Sequence, residues 1–374
     1  MWSARLSAPD ERNTVNRLLN SLIIALLLTG ALVAQETKLG DFVVTSQLPR
    51  LAVENQGRTG TCWCFATTSF LESELQRIHG KAYDLSEMFT VRNTTIEKAK
   101  RYVEAGGKAV FGEGGLSHDV IAMIREHGIV PQESYTGLQE GKQRHSHGGM
   151  FRKVKGAIKG FVEENGRRFK KKEADAVAAV VDGHLGAAPT EVTVDGKKMT
   201  PQQYATDFLK IPLNDYVEVM SYSYAPFHQK ATLTVRDNWM KYDGYLNVPI
   251  DEFMKTFDNA LEKGYSVAVD IDVSEKTYRP SDGIGTLTDD LEKQGAVTQK
   301  VRDAMFKDKR TTDDHLLHIV GVARDEAGKR FYLTKDSWGK NHGKLKGYRM
   351  LSENYIRAKV LAFMIHKDAL LKRQ

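Results

Sequence analysis

The chain has 374 residues, of which 41% are hydrophobic and 27% charged, a composition typical of a globular protein with its own core. Its formal net charge is +6 with both signs spread along the chain, so this balance alone does not indicate a nucleic-acid-binding protein. Two cysteines are too few for a disulfide scaffold.

The N-terminus has the pattern of a targeting segment. Three arginines precede the uncharged run LLNSLIIALLLTGALVA, residues 18–34, which ends in small residues. This pattern predicts a signal peptide over residues 1–34, cleaved after Ala34, and a mature protein exported to the periplasm or the extracellular space. The alternative is an uncleaved membrane anchor, for which the run is short.

The first half of the mature chain is mainly helical by pattern. Helical spacing of apolar residues and capping signals predict helices over residues 62–80, 84–107 and 116–128, the second with Ser86 as its N-cap. Residues 141–181 are rich in basic residues and are predicted to form surface helices joined by a flexible loop. A further helix is predicted over residues 200–209.

From about residue 231 onward, strand patterns dominate, and Gly and charged turns between them indicate an antiparallel sheet. These strands are GYSVAVDIDV (264–273), HLLHIVGVARD (315–325), RFYLTKDSW (330–338), GYRMLS (347–352) and VLAFMIHK (360–367). The predicted class is α+β, with a helical region at 35–136, a charged helical insertion at 137–230 and a β region at 231–374.

The stretch QGRTGTCWCF, residues 56–65, holds both cysteines at the start of a predicted helix. Unpaired N–H groups and the helix dipole there favour a thiolate at Cys62, and the Gln56 amide is a candidate donor to a developing oxyanion. A disulfide between Cys62 and Cys64 would be strained, and a metal site would need further ligands that the scattered histidines do not supply. This segment alone leaves a nucleophile and two packing cysteines equally open.

The β region adds a candidate base and a residue to orient it. His315 begins one predicted strand and Asp336 ends the next, so the Asp336 carboxylate can accept the Nδ1–H of His315. Trp338 lies two residues after Asp336 in the sequence and can shield that hydrogen bond from water. His318, three residues from His315, faces the opposite side of the strand as a packing or surface residue.

These residues carry a resemblance to the papain-like cysteine peptidases. Gln56, Gly60, Cys62 and Trp63 stand in the spacing of that family, DHLLHIVGV resembles its histidine strand, and DSWG resembles its NSWG motif. The segments LSEMFTVRN, REHGIVP, LNDYVEV, GYSVAVDIDV and HKDAL resemble one branch, the bleomycin hydrolase or aminopeptidase C type.

The resemblance implies a two-lobed fold, with the nucleophile on a helical lobe and His315 and Asp336 on an antiparallel β lobe, joined by a helical insertion. It implies Cys62, His315 and Asp336 as catalytic residues, Gln56 at the oxyanion, Trp338 in support, and peptide substrates without a cofactor or metal. Its substrate-binding glycine pair is matched by GEGG, at Gly114 and Gly115. The branch forms hexamers, which implies a homo-oligomer.

Two departures from the family pattern affect the site. The family usually has Asn where this chain has Asp336; an Asp can still orient the ring, so we expect activity to survive. Thr59 stands where secreted relatives have a disulfide-forming cysteine, which leaves Cys64 as a buried packing residue.

The C-terminus affects the expected mode of cleavage. In the aminopeptidase branch the end of the chain lies in the cleft and its carboxylate pairs with the substrate α-ammonium. Here the chain ends soon after its last strand, and Lys372 and Arg373 would repel an ammonium group, so we expect detectable endopeptidase activity. The competing hypotheses are a catalytically idle protein on the same fold and polyanion binding through RRFKKK, residues 167–172, although export makes nucleic acid an unlikely partner.

Overall fold

The structure is a computed structural model that describes residues 37–372. The predicted signal segment and Arg373 lie outside the described residues. The α-helices of the described part, in chain order, are α1 (Cys62–His79), α2 (Glu87–Glu104), α3 (Ser117–His127), α4 (Gly148–Asn165), α5 (Lys171–Leu185), α6 (Pro201–Gln203), α7 (Ile250–Glu262), α8 (Asp289–Lys293), α9 (Gln299–Lys307) and α10 (Glu353–Lys359). Among these residues, no helix has the length and apolar character needed to cross a membrane.

The strands are shorter and concentrate in the second half of the chain. In chain order they are β1 (Thr37–Leu39), β2 (Phe42–Gln47), β3 (Val192–Val194), β4 (Lys197–Met199), β5 (Tyr216–Met220), β6 (Gln229–Ala231), β7 (Tyr245–Asn247), β8 (Val267–Ile271), β9 (Tyr278–Arg279), β10 (Ile284–Gly285), β11 (His315–Arg324), β12 (Arg330–Lys335), β13 (Tyr348–Ser352) and β14 (Val360–His366). The predicted α+β class is confirmed.

The main sheet is built around β11. This strand pairs antiparallel with β12 along one side, and along the other side with β8 near its beginning and with β2 near its end. His318 lies opposite Lys335, the last residue of β12. Because the two strands run in opposite directions, the beginning of β11 and the end of β12 share one edge, which is where His315 and Asp336 lie.

The two faces of the sheet bury different cores. Alternate residues of the central strands point to opposite faces. Ala268, Leu316 and Met364 pack with the apolar residues of α1 to α5, whereas their neighbours Val269, Leu317 and Phe363 pack with those of α7. The helical side and the β side are therefore two cores that share one sheet as their boundary.

Helix α1 is fixed to the sheet by buried polar contacts as well as by apolar packing. Lys335 Nζ donates to Ser69 Oγ at 2.8 Å, and the Ser69 hydroxyl in turn lies 2.9 Å from His318 Nδ1. His318 is fully buried, which agrees with the packing role predicted for it. Since Ser69 lies two helical turns after Cys62, this contact aligns the start of α1 with the start of β11.

The structure differs from the predicted segment boundaries in three respects. The sheet is not confined to residues 231–374, because β5 pairs with β14 and β2 pairs with β11. The β region also contains a long amphipathic helix, α7. The helix predicted over residues 200–209 is a short α-helix that continues as a π-helical turn over Tyr204–Phe208. Local periodicity does not report these features, because strand pairing joins segments that are distant in sequence.

Candidate active site

Cys62 is the first residue of α1 and is 8% exposed. As the first residue of a helix, it has a backbone N–H without an intrahelical acceptor, so this N–H is free to point at an anion. Its sulfur lies close enough to His315, across the boundary between the helices and the sheet, to act on the charge of that ring. The structure therefore places a thiol, a free amide donor and an imidazole together.

His315 and Asp336 meet as predicted, but through the other ring nitrogen. His315 Nε2 lies 2.9 Å from Asp336 Oδ1, and both side chains are almost fully buried. The expectation that Nδ1 would face the carboxylate is wrong, because Nε2 takes that place. The ring bridges two elements, and which nitrogen faces each of them depends on how α1 is placed against the sheet.

The charges of these neighbours act on the ring. Burial opposes protonation of His315, but the Cys62 sulfur and the Asp336 carboxylate outweigh it and raise the pKa of His315 to about 10. For Asp336, burial acts to raise the pKa, but His315 and Arg349 together hold it below its usual value. The arrangement favours an imidazolium at His315 beside an ionised Asp336 carboxylate.

Trp338 lies over this pair, as the sequence led us to expect. Its ring centroid is 5.7 Å from that of His315, with the ring planes tilted by 57°. On its other side it meets His342 edge to face at 4.9 Å. The indole is therefore placed to limit access of water to the His315–Asp336 contact.

Gln56 is held beside the site by the loop that carries Asp336. The Gln56 N–H donates to the Ser337 carbonyl at 2.8 Å, and the side-chain hydroxyl of Ser337 donates to Gln56 Oε1 at 2.5 Å. One N–H of the Gln56 amide donates to the Thr59 carbonyl at 2.7 Å, so the second remains available as a donor. The sequence analysis missed Ser337, because only the folded loop shows which side chain orients Gln56.

The glycine pair is packed tightly against the nucleophile segment. The Glu113 carboxylate accepts from Gly60 N–H at 2.7 Å, and its carbonyl accepts from the Trp63 indole at 2.9 Å. A Cβ on Gly115 would lie 2.9 Å from the Trp63 ring, so a side chain there would displace the indole. Gly115 is buried behind Trp63, which leaves Gly114 as the residue of the predicted pair that lines the neighbouring cleft.

Lys98 supports the same loop and was not singled out from the sequence. Its buried ammonium donates to the carbonyls of Gly112 and Gly114 and lies above the rings of Trp63 and Trp239. Burial lowers the pKa of Lys98, although nearby carboxylates favour its charged form. Nothing in the local pattern around a helical lysine signals a contact with a glycine loop 14 residues further along.

A cleft of about 780 Å³ opens beside Gly114. Its walls come from the glycine loop, from residues 234–237 and from the segment before His315. Three carboxylates, those of Glu113, Asp237 and Asp313, line it together with the basic side chains of Arg236, Lys307 and Lys309. The Asp237 carboxylate lies directly against Gly114, where a Cβ would come within 1.7 Å of it. Burial raises the pKa of Asp313 to about 7, with a smaller contribution from Asp237. Burial also raises the pKa of Asp237, although the charges of Lys98 and Arg236 act against this.

Cys64 faces away from this chemistry. It is fully buried, its thiol donates to the Glu87 carbonyl at 3.3 Å, and burial raises its pKa well above the usual value. Both cysteines are free thiols. In the described part of the chain, no group of three His, Cys, Asp or Glu side chains is arranged to hold a metal ion. The packing role predicted for Cys64 fits these surroundings.

A thiol at a helix start, a buried imidazole on a facing strand and a carboxylate behind it form the arrangement of a cysteine peptidase of the papain type. The sequence pattern of the papain family cysteine proteases matches residues 46–248, and that of the peptidase C1-like family matches residues 192–374. The chain belongs to the papain family, in its bleomycin hydrolase and aminopeptidase C branch, and is a cysteine-type peptidase.

Named relatives are similar along most of their length. Aminopeptidase G of Lactobacillus delbrueckii subsp. lactis is 24% identical over 89% of this chain and 84% of its own. Aminopeptidase C of Lactococcus lactis subsp. cremoris is 23% identical over 100% of this chain and 91% of its own. The crystal structure of PepW from Lactobacillus rhamnosis HN001 has a TM-score of 0.67 at 20% identity, over 99% of this chain and 94% of that chain, and shows the same fold.

Proposed function

We propose that this protein hydrolyses peptide bonds through a thioester on Cys62, with His315 as acid and base and a preference for peptides with a free amino terminus. The observation that carries the catalytic part is the buried contact between His315 Nε2 and Asp336 Oδ1, with the Cys62 thiol on the other side of the same ring.

Each residue has one step in this reaction. The Cys62 thiolate attacks the scissile carbonyl carbon, and the resulting oxyanion is held by the Cys62 N–H and the second N–H of the Gln56 amide. Protonated His315 gives its proton to the leaving amine as the C–N bond breaks. Neutral His315 then takes a proton from water, whose oxygen displaces the sulfur and releases the acid. Asp336 keeps the ring oriented throughout.

The carboxylates of the cleft support the preference for a free amino terminus. A peptide bound along Gly114 would place its α-ammonium within reach of Asp237 and Asp313, which line the cleft beside that glycine. The relatives named above are called aminopeptidases, which agrees with this preference. Endopeptidase cleavage, expected from the sequence, remains a prediction and would appear as residual cleavage of blocked peptides.

The catalytic assignment is tested by comparing the two cysteines. Cys62→Ala should abolish both peptide hydrolysis and labelling by iodoacetamide, because it removes the attacking atom. Cys64→Ala is the matched control and should retain both, because its thiol is buried against the Glu87 carbonyl. Loss of labelling in Cys64→Ala alone, with the protein still folded, would overturn the assignment.

Export and assembly complete the proposal. The arginine-flanked apolar run at residues 18–34 supports removal of a signal peptide after Ala34, and similarity to a hexamer-forming branch supports a homo-oligomer. Light scattering on the purified protein measures the assembly, and a monomer would exclude the oligomer.

Binding of polyanions by residues 167–172 also stays a prediction, which salt-dependent retention on a polyanion column would test.

A further inference from the structure

Asp336 has a second buried partner on the side away from His315. Arg349 Nη2 lies 2.9 Å from Asp336 Oδ2, and neither side chain is exposed at all. The arginine is brought there by strand register, because β13 pairs with β12 so that Arg349 lies opposite Thr334, two residues before Asp336. The contact therefore belongs to the folded sheet.

Other groups hold the arginine in this position. Arg349 Nη1 donates to the Tyr348 carbonyl at 2.8 Å, and Nη2 also donates to His342 Nδ1 at 2.8 Å. The Tyr278 phenol lies beside the guanidinium. A buried guanidinium fixed by neutral acceptors on several sides presents its charge to one carboxylate, that of Asp336.

The charges of the site balance only when Arg349 is counted. A Cys62 thiolate and a His315 imidazolium cancel, which leaves the Asp336 carboxylate as an excess negative charge in a buried place. Arg349 cancels it. A neutral Asn at the same position, as the family usually has, would need no such partner. Of the other ionisable groups facing the ring, Asp314 is exposed and precedes His315, and His342 contacts the guanidinium rather than the ring.

We infer that Arg349 is a positioning residue for catalysis, which allows this peptidase to use an aspartate in place of asparagine behind its catalytic histidine. The inference rests on the proposed function of Cys62, His315 and Asp336. Arg349 neutralises Oδ2 of Asp336, the carboxylate oxygen that does not contact His315. It thereby keeps Oδ1 in position to accept from His315 Nε2, and it limits how tightly Asp336 holds the His315 proton. Asp336 and Arg349 thus act as one unit, and neither is replaceable alone.

The test is a double-mutant cycle with a pH readout. Arg349→Met and Asp336→Asn should each lower kcat/KM by about tenfold or more, because each leaves a buried charge unpaired. The double variant, which carries a neutral pair, should regain at least about tenfold over either single variant. Arg349→Lys, which keeps the charge, should lose less than Arg349→Met.

The pH profile of kcat/KM separates an electrostatic role from a structural one. In Arg349→Met the alkaline limb should move to higher pH, since an unbalanced Asp336 holds the His315 proton more tightly. In the double variant the alkaline limb should lie at lower pH than in the parent protein, since the Asp336 carboxylate is gone. Arg302→Met is the matched control: Arg302 is fully buried but donates only to the carbonyls of Ser221, Arg357 and Leu361, so its loss should affect stability without moving the profile.

The outcomes distinguish the inference from the function on which it rests. Additive losses in the double variant together with an unmoved alkaline limb would overturn the role of Arg349 while leaving the peptidase intact. Activity that survives Cys62→Ala would instead overturn the proposed function itself. If Arg349→Met does not fold, the comparison of Asp336→Asn with the double variant and with Arg349→Lys still decides the question.

Discussion

At the scale of single residues, the protonation of His315 decides when the enzyme can work. The ring is buried between a sulfur and a carboxylate, and its pKa is raised to about 10. The acid that protonates the leaving amine is therefore present throughout the neutral range.

The first prediction is the pH dependence of catalysis. Because the pKa of His315 is raised above its unfolded value of about 6.5, the folded state favours the imidazolium. Its stabilising contribution is complete below about pH 6.5 and is lost as the pH rises through about 10. We expect kcat/KM to fall along the same alkaline limb. Circular dichroism at each pH is the control for unfolding, and a fall centred near pH 6.5 in folded protein would contradict the assignment.

At the scale of elements, α1 and β12 face one another across a buried ionic cluster. Glu72 on α1 is 3% exposed and accepts from the Leu85 N–H at 3.1 Å. Burial raises the pKa of Glu72 to about 8, although the ammonium of Lys335 on β12 acts against this. The cluster joins the helix of the nucleophile to the strand that leads to Asp336.

The second prediction concerns stability at this interface. A carboxyl whose pKa is raised on folding holds its proton longer in the folded state, so the free energy of unfolding falls as the pH rises from about 4.5 to about 8. Glu72→Gln keeps the acceptor for Leu85 and removes this titration. The loss of stability between pH 5 and pH 8 should therefore shrink by on the order of 2 kcal/mol, measured by urea unfolding. Glu104→Gln, at an exposed position, should leave the loss of stability between pH 5 and pH 8 unchanged. If Glu72→Gln loses as much stability over this range as the parent protein does, Glu72 is ionised throughout the range in the folded protein.

At the scale of the whole molecule, we expect the cleft beside Gly114 to select among peptides by their amino terminus. Its carboxylates come from three distant segments, at Glu113, Asp237 and Asp313, and basic side chains line it as well, those of Arg236, Lys307 and Lys309. A free α-ammonium could pair with these carboxylates, whereas an acetylated terminus carries no charge and could not.

The third prediction follows from this lining. Acetylation of a test peptide should lower kcat/KM by about tenfold, with residual cleavage as the endopeptidase component. Asp237→Asn should reduce the ratio of kcat/KM for the free peptide to kcat/KM for the acetylated peptide. Glu126→Gln, at an exposed position, should leave this ratio unchanged. Equal rates for both peptides would exclude an amine site, and a loss of more than about a hundredfold would exclude the expected endopeptidase activity.

The fourth prediction concerns maturation. Strand β2, at Phe42–Gln47, pairs with β11 as part of the sheet, so this segment belongs to the folded enzyme. Protein beginning at Gln35 should hydrolyse peptides without a lag, as followed in a continuous assay. A lag that tracks a further cleavage, detected by N-terminal sequencing, would show that this segment must be removed first.

The sequence by itself determined the residue types of the site and the elements that carry them. Cys62 at a helix start, His315 at a strand start and Asp336 after the next strand are visible because capping and periodicity depend on neighbours a few residues apart. Only the tertiary structure decided that Nε2 faces Asp336 and that Arg349 neutralises the same carboxylate. These contacts depend on strand register and on the placement of α1 against the sheet, and both are set by packing between segments that are far apart in the chain.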